Sequence, residues 1–391
     1  MAKAPRHDSR QGPALMNTIA SAIREGAPGL VDLYLSTGAD GYDELRDPDG
    51  GARRHWRTFL DGIGAWPPAE RAARAARIDR RVRETGIAYD MFADPNAATQ
   101  KWQLDLMPIV LASAEWRWLA KALKQRARMF DALLTDLYGA QKLMRDGLVP
   151  PELIFSDATY LRPCQGLLDK AGPIRFYAAD LARGSDGQWR VIDNHLETLA
   201  GLGFLLANRV AHTHVTGDLF KQVNAVRLAS HCQRLQNALA ARAGRDNAAI
   251  ALLTPGPHHE DYFSHAYLAR FLGLLLVEGS DLSTRGGRVY LKTLEGLKEI
   301  DLIVRCVDGR QIDPLELDPG GFMGPAGLLR VNREMPRLIV NAVGSALAQN
   351  RGLGPYLPVL AKHLLGEDLL LPDAPRWWLG DAAARRHVLD H

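Results

Sequence analysis

Apolar residues recur every three to four positions through EWRWLAKALKQRARMFDALLTDLYGAQKLMRDG. Trp116, Leu119, Leu123, Ala127, Phe130, Leu133 and Leu137 fall on one stripe, the spacing of a helix with one buried face. Gly147 closes this run, and Pro150-Pro151 makes a stiff junction after it. The pattern is mostly helical from about Met16 to Gly147. Within it, ERAARAARIDRRVRE interleaves its arginines with acids and alanines. That reads as a solvated helix face rather than a phosphate-binding stripe.

The period changes after Pro151. IRFYAADLARGSDGQWRVIDN reads as strand, turn, strand, with Ser185-Asp186-Gly187 as the hairpin signal. GFLLANRVAHTHVTGDLFKQVNAVRLASHCQRLQNALAARAG is helical with breaks. NAAIALLTPG is a short apolar strand stopped by Pro255-Gly256, HHEDYFSHAYLARFLG an amphipathic helix, and LLLVEG a second apolar strand. Together these make a βαβ unit, which implies a parallel sheet. VYLKTLEGLKEIDLIVRCVDG adds two strands around Leu294 to Lys298. The class is mixed α/β, with no internal repeat.

Composition narrows the reading. The chain has 391 residues, 47% hydrophobic and 24% charged, an ordinary globular balance with room for two or three domains. With 48 basic against 45 acidic residues, the formal net charge is +3, which argues against a dedicated nucleic-acid binder. Cys164, Cys232 and Cys306 are too few and too scattered for a disulfide framework or a zinc site, and fit a reducing compartment. Apolar runs such as Phe271 to Val277 are too short to span a bilayer. The basic MAKAPRHDSRQGP is not followed by a signal-peptide hydrophobic region. The expectation is a cytoplasmic protein with a loose N-terminal tail, bound to neither nucleic acid nor membrane.

Three groups of residues carry candidate chemistry. In open α/β sheets, ligands gather at the carboxyl ends of strands. Thr254, Gly256, His258 and His259 of LLTPGPHHE lie between a strand and its helix, where backbone amides can hold an anion. The alternative is a plain turn with surface histidines, since no glycine fingerprint is present. Arg305, Asp308, Arg310 and Asp313 crowd another strand end, either to orient an anionic substrate or as a structural ion-pair network. Asp180 and Asp193 occupy the two strands of the hairpin. Pairing would bring their carboxylates together as hard oxygen ligands for Mg²⁺, or leave two acids on a solvated face. His195 follows within the same RVIDNHLETLAGLG stretch, with Asn194 and Glu197 beside it. His212 and His214 of HTH read as surface histidines, because no third ligand is near in sequence.

Several longer stretches follow one another in order: YDELRDPDGGARRHWRTFL, LKQRARMFDALLTDLYGAQKLMRDGLVPPELI, YLRPCQG, FYAADLARGSDGQW, LLTPGPHHEDYFSHAYLARFLGLLLVEGSDL and DPLEL. From about Gly41 onward the chain resembles the circularly permuted type 2 ATP-grasp proteins, relatives of the glutathionylspermidine synthase ligase domain. The resemblance implies an ATP-dependent carboxylate–amine ligase ancestry working through an acyl phosphate, with ATP and Mg²⁺ as cofactors. It also implies an order of parts. A tail and first helix (1–40) precede a helical region (41–148) and the metal-binding half of the core (149–245). A Rossmann-like substrate domain, leading into the nucleotide-gripping half, occupies 246–391.

On that template Asp180, Asp193 and His195 are the metal side. Thr254, Gly256, His258 and His259 are the substrate side, and Arg305 and Asp308 the catalytic pair. The metal strand departs from the family pattern V-L-E-D-N-L-R-T-P-S-G. Asp193 stands where Glu is expected and His195 where Asn is. Glu197 replaces an arginine, Leu199 to Gly201 replace the P-S-G turn, and Ala207 to Arg209 replace E-N-R. Glu to Asp shortens a ligand by one methylene, an imidazole is a poor partner for Mg²⁺, and an acid for an arginine repels phosphate. The sequence stops at His391, before the lysine strand and glycine loop of the resembled fold. The expectation is a degenerate or truncated homologue that binds a partner protein, a carboxylate or peptide-like ligand, or a metal, since the two acids can still hold one cation softer than Mg²⁺. The alternative is a ligase completed by a second chain or a longer product.

Overall fold

The computed structural model describes residues 41–87, 102–169, 172–199, 201–245 and 247–391; the expected tail and first helix within 1–40 lie outside the described residues. Helix α1 (Arg54–Gly64) buries Trp56, Phe59, Leu60 and Ile63, a spacing that keeps one face inward. The arginine-rich run forms α2 (Pro68–Thr85), whose buried residues are Ala75, Ile78 and Val82. Arg74 there donates to Glu70 at 2.7 Å and to the Val215 carbonyl at 2.7 Å, and Arg81 pairs with Glu84 at 3.5 Å. These arginines serve the helix face and its neighbour.

The long helix α3 (Ser113–Leu137) buries Leu119, Ala122, Gln125, Arg126, Met129, Phe130, Leu133, Leu134 and Leu137. Of the expected stripe Leu119, Phe130, Leu133 and Leu137 are buried and Leu123 and Ala127 half-buried, but Trp116 is 50% exposed. Two short helices, α4 (Lys142–Arg145) and α5 (Pro151–Phe155), follow, with proline at the start of α5 where its missing N–H is not needed.

The hairpin predicted from the turn signal is present. Strand β1 (Ala178–Arg183) pairs antiparallel with β2 (Trp189–His195). Asp180 is paired with Asp193 and Leu181 with Val191, so Ile192 is an extra, bulged residue. The bulge sets Asp180 and Asp193 side by side on one face. The far side of β2 is not an open edge: Val191 donates to the Pro372 carbonyl and accepts from Ala374, both at 2.9 Å.

Next come α6 (Leu202–Gln222), non-helical at Thr216, and α7 (Ala229–Ala243). His212 lies on α6, not on a strand, and is 5% exposed. The surface reading therefore fails for His212, because helical spacing turns it onto the face that also buries Val215 and Leu219. His214 is exposed.

The predicted βαβ unit is β3 (Ile250–Leu253), α8 (Tyr262–Leu272) and β4 (Leu275–Val277). A three-stranded antiparallel sheet follows, of β5 (Leu282–Arg285), β6 (Arg288–Thr293) and β7 (Gly296–Ile300). The two strands expected around Leu294 to Lys298 are β6 and β7, and Leu294 sits at the exposed tip of the turn joining them. Strand β8 (Leu302–Arg305), helix α9 (Leu328–Glu334) and β9 (Ile339–Val340) complete a parallel sheet of order β4-β3-β8-β9. Helices α10 (Leu357–Leu365) and α11 (Ala382–Asp390) end the described chain. One large apolar cluster joins α3, β3, β8, β9 and α10, including Leu134, Leu253, Ile303, Ile339 and Leu360.

Candidate functional site

The hairpin face holds the three residues assigned to a metal. His195 Nε2 lies 3.0 Å from Asp180 Oδ2. Asp193 Oδ2 accepts from Arg351 Nε at 3.1 Å and also from Arg351 Nη2. Burial pushes the Asp193 carboxyl up, but the Arg351 guanidinium and the Asn194 amide outweigh it, and the net shift is downward. Asn194 turns the other way. It is 7% exposed, and its Oδ1 accepts from the Tyr177 hydroxyl at 2.7 Å and from Arg126 Nη2 at 3.1 Å.

The structure therefore places Asp180, Asp193 and His195 on one face without gathering them into a metal-binding group. Among the described residues no such group of three or more His, Cys, Asp or Glu side chains is found. The reason is local: each acid is already engaged by a nitrogen group of the same chain. Mg²⁺ requires oxygen ligands in near-octahedral geometry. Both carboxylates are taken up by Arg351 and His195, and the third outward donor is an imidazole, a poor ligand for that ion, so the donor set as arranged does not fit it.

The turn after β2 is held by Gln349, whose Oε1 accepts from the amides of Leu196 and Glu197 at 2.6 and 2.7 Å. This aims Glu197 at the end of β8. Glu197 Oε1 accepts from Gly309 N at 2.8 Å and from Arg305 Nη1 at 3.2 Å. The Arg305 side chain is fully buried and also donates to the carbonyls of Val307, Asn341 and Ala342 and to Ser345 Oγ. Its donors all point inward. Assigned to catalysis from sequence, Arg305 instead has its donors taken up by contacts that tie the turn after β2, the end of β8 and the turn after β9 together.

Asp308, its assigned partner, instead faces Arg310, with Nη2 2.7 Å from Oδ2. Burial raises the Asp308 carboxyl while Arg310 lowers it, for a net downward shift. Asp313 is buried and accepts from the amides of Leu315, Gly327 and Leu329. For Arg305 and Asp313 the geometry is that of a structural network.

Thr254 and Gly256 follow β3 at the carboxyl edge of the parallel sheet. Thr254 is 1% exposed, and its Oγ1 lies 3.0 Å from His265 Nδ1. Gly256, at φ 100°, lets Glu278 approach from the end of β4; a Cβ at Gly256 would lie 3.2 Å from the Glu278 carboxyl carbon. His259 stacks on His265 with ring centroids 5.8 Å apart, whereas His258 is exposed. Sequence reasoning missed His265 and Glu278. Both sit where a βαβ reading places ligand-facing groups, at the helix start and the next strand end.

Burial lowers the pKa of His212 and of His265 to about 4. Both side chains fold neutral, while the unfolded chain binds their protons near pH 6.5. Stability is then complete above that value and falls as pH drops toward 4, by about 3 kcal/mol for each histidine. Urea unfolding across this range should show the slope, and His212→Leu should remove about half of it.

Comparison with known proteins places the chain. Residues 108–391 match the circularly permuted ATP-grasp type 2 family, and the chain belongs to it. An uncharacterised Mycobacterium tuberculosis protein is 33% identical over 371 residues, covering 92% of this chain and 42% of the relative. An uncharacterised Synechocystis protein is 31% identical over 353 residues, covering 90% of this chain and 73% of the relative. The chain thus spans less than half the length of the mycobacterial protein. A glutathione synthetase-like effector from Globodera pallida aligns at a TM-score of 0.44 and 11% identity, over 74% of this chain and 68% of that one. The family generally uses ATP and Mg²⁺, and a ligase-like ancestry follows from membership. Among the described residues no helix is long and apolar enough to cross a membrane.

Proposed function

We propose that this chain is a degenerate member of the ATP-grasp ligase lineage. By itself it does not form a carboxylate–amine bond, and it keeps the scaffold for holding a carboxylate or peptide-like ligand. One observation carries the reading: on the outward face of the metal strand Asp193 is held by Arg351, and Asp180 by His195, which stands where the family pattern has asparagine. The outward face of the hairpin thus presents two engaged carboxylates and an imidazole.

Phosphoryl transfer to a carboxylate depends on cations that spread charge over the transferring group. On the hairpin face the two carboxylates that could hold them are engaged by Arg351 and His195. The retained ligand side is the sheet edge, where Thr254, Gly256, His259 and Glu278 surround the strand ends. Calorimetric titration of the purified chain with ATP and Mg²⁺ together should give no binding heat. Saturable binding abolished by Asp180→Ala would overturn the reading.

A second reading, a ligase site completed by another polypeptide, is favoured by exposed apolar side chains beside Arg351. Ile192 is 41% and Trp377 47% exposed, and both line an open groove of about 710 Å³ that Arg351 borders. It requires nucleotide affinity to appear when the complementing chain is added. Unchanged affinity in a stable complex would rule it out.

A further inference from the structure

We infer that Arg351 is the resident cation of the hairpin site, a built-in guanidinium that neutralises Asp193 and thereby excludes a divalent metal. This goes beyond the loss of ligation, because it assigns a cause to one residue outside the hairpin.

The bulge at Ile192 pairs Asp180 directly with Asp193 across two antiparallel strands. Like charges opposite one another on a sheet face repel, so the pair requires a counter-charge. The Asp193 side chain is 17% exposed and that of Arg351 73%. The acid is the enclosed partner, and the guanidinium caps it from the solvent side.

Arg351 is delivered by an anchored turn. Asn350 Oδ1 accepts from Gly352 N at 2.7 Å, and Asn350 Nδ2 donates to Asp157 Oδ2 at 2.6 Å and to the Leu153 carbonyl at 3.3 Å. The same guanidinium also feels the charge of Asp180, and both acids raise its pKa further, Asp193 most. A guanidinium keeps its charge at all accessible pH values, offers directional donors and has no open coordination position. It can balance two carboxylates but cannot polarise a phosphate oxygen as a Lewis acid does.

Removing Arg351 should leave two facing carboxylates beside an imidazole. That mixed oxygen and nitrogen set suits Mn²⁺ better than Mg²⁺. The test is Mn²⁺ titration of the full chain followed by electron paramagnetic resonance, in which bound ion loses the free six-line signal. Wild type should leave that signal unchanged. Arg351→Met should bind Mn²⁺ at least about tenfold more tightly than wild type. Arg351→Lys, which keeps a cation, should not gain affinity, and Arg351→Met with Asp193→Asn should return to the wild-type level.

A stability cycle keeps the inference testable if the Met variant folds poorly. Asp193→Asn and Arg351→Lys should each lower stability, and by less together than the sum of the two. Wild-type Mn²⁺ binding that Asp193→Asn abolishes would overturn it. So would an Arg351→Met protein that folds and gains no Mn²⁺, or strictly additive effects in the cycle. ATP titration reads the ligation-deficient proposal separately: a chain that bound Mg²⁺ and ATP would refute that proposal even if Arg351→Met gained Mn²⁺.

Discussion

Arg126→Met is expected to destabilise the chain by about 3–5 kcal/mol, the usual cost of leaving one partner of a buried ion pair alone. The Arg126 side chain is fully buried and its partner Asp373 is 8% exposed, with Nη2 3.0 Å from Oδ2. The same guanidinium donates to the Tyr177 hydroxyl, the Leu371 carbonyl and Asn194 Oδ1. One side chain of α3 thus ties β2 to the segment that flanks it. Burial, with a smaller push from the Asp193 charge, raises the Asp373 pKa, and Arg126 opposes it without cancelling it. Without Arg126 the carboxylate faces the desolvation cost unopposed. Urea unfolding at pH 7 measures the loss. A companion Asp373→Asn, which removes the charge that Arg126 answers, should recover part of it when added to Arg126→Met. Independent, additive losses would show that the two side chains do not act together.

Arg305→Met is expected to cost a similar amount, about 3–5 kcal/mol, for a different reason. Arg305 answers the carboxylate of Glu197, whose side chain is 18% exposed, and it also satisfies carbonyls at the ends of β8 and β9. Methionine fills much of the volume but leaves those carbonyls and Glu197 without their donor, and an unmet buried polar group is itself costly. Glu197→Gln should be milder, since its carbonyl oxygen still accepts from Gly309 and Arg305. Comparable losses in the two variants would mean that charge, not donor geometry, holds the turn.

The hairpin was legible in the sequence because alternation and a Ser-Asp-Gly turn are local signals. Its register was not. A single bulged residue decides whether Asp193 faces Asp180, and nothing in the run from Arg190 to His195 marks Ile192 as the extra one. The βαβ unit was legible for the same local reason, including the position of Thr254 and Gly256 at its strand end.

The residues that govern the hairpin chemistry were not. Arg126 sits in an arginine- and lysine-rich helix where one buried guanidinium looks like its solvated neighbours, and its partner lies 247 positions away. Arg351 follows an asparagine in a turn, and only the fold brings it to Asp193, 158 positions back. Arg305 and Asp308 looked alike as members of one charged cluster. The fold separates them, turning the first inward onto Glu197 and leaving the second partly open with Arg310.

The most direct measurement is turnover: release of phosphate from ATP by the purified 391-residue chain with Mg²⁺, a panel of carboxylates including peptides, and a panel of amines. With Asp193 held by Arg351, Asp180 by His195 and an imidazole in place of the family's asparagine, the expected result is release no faster than in buffer, unchanged by Asp180→Ala. Phosphate release that requires both a carboxylate and an amine, and that Asp180→Ala abolishes, would contradict it.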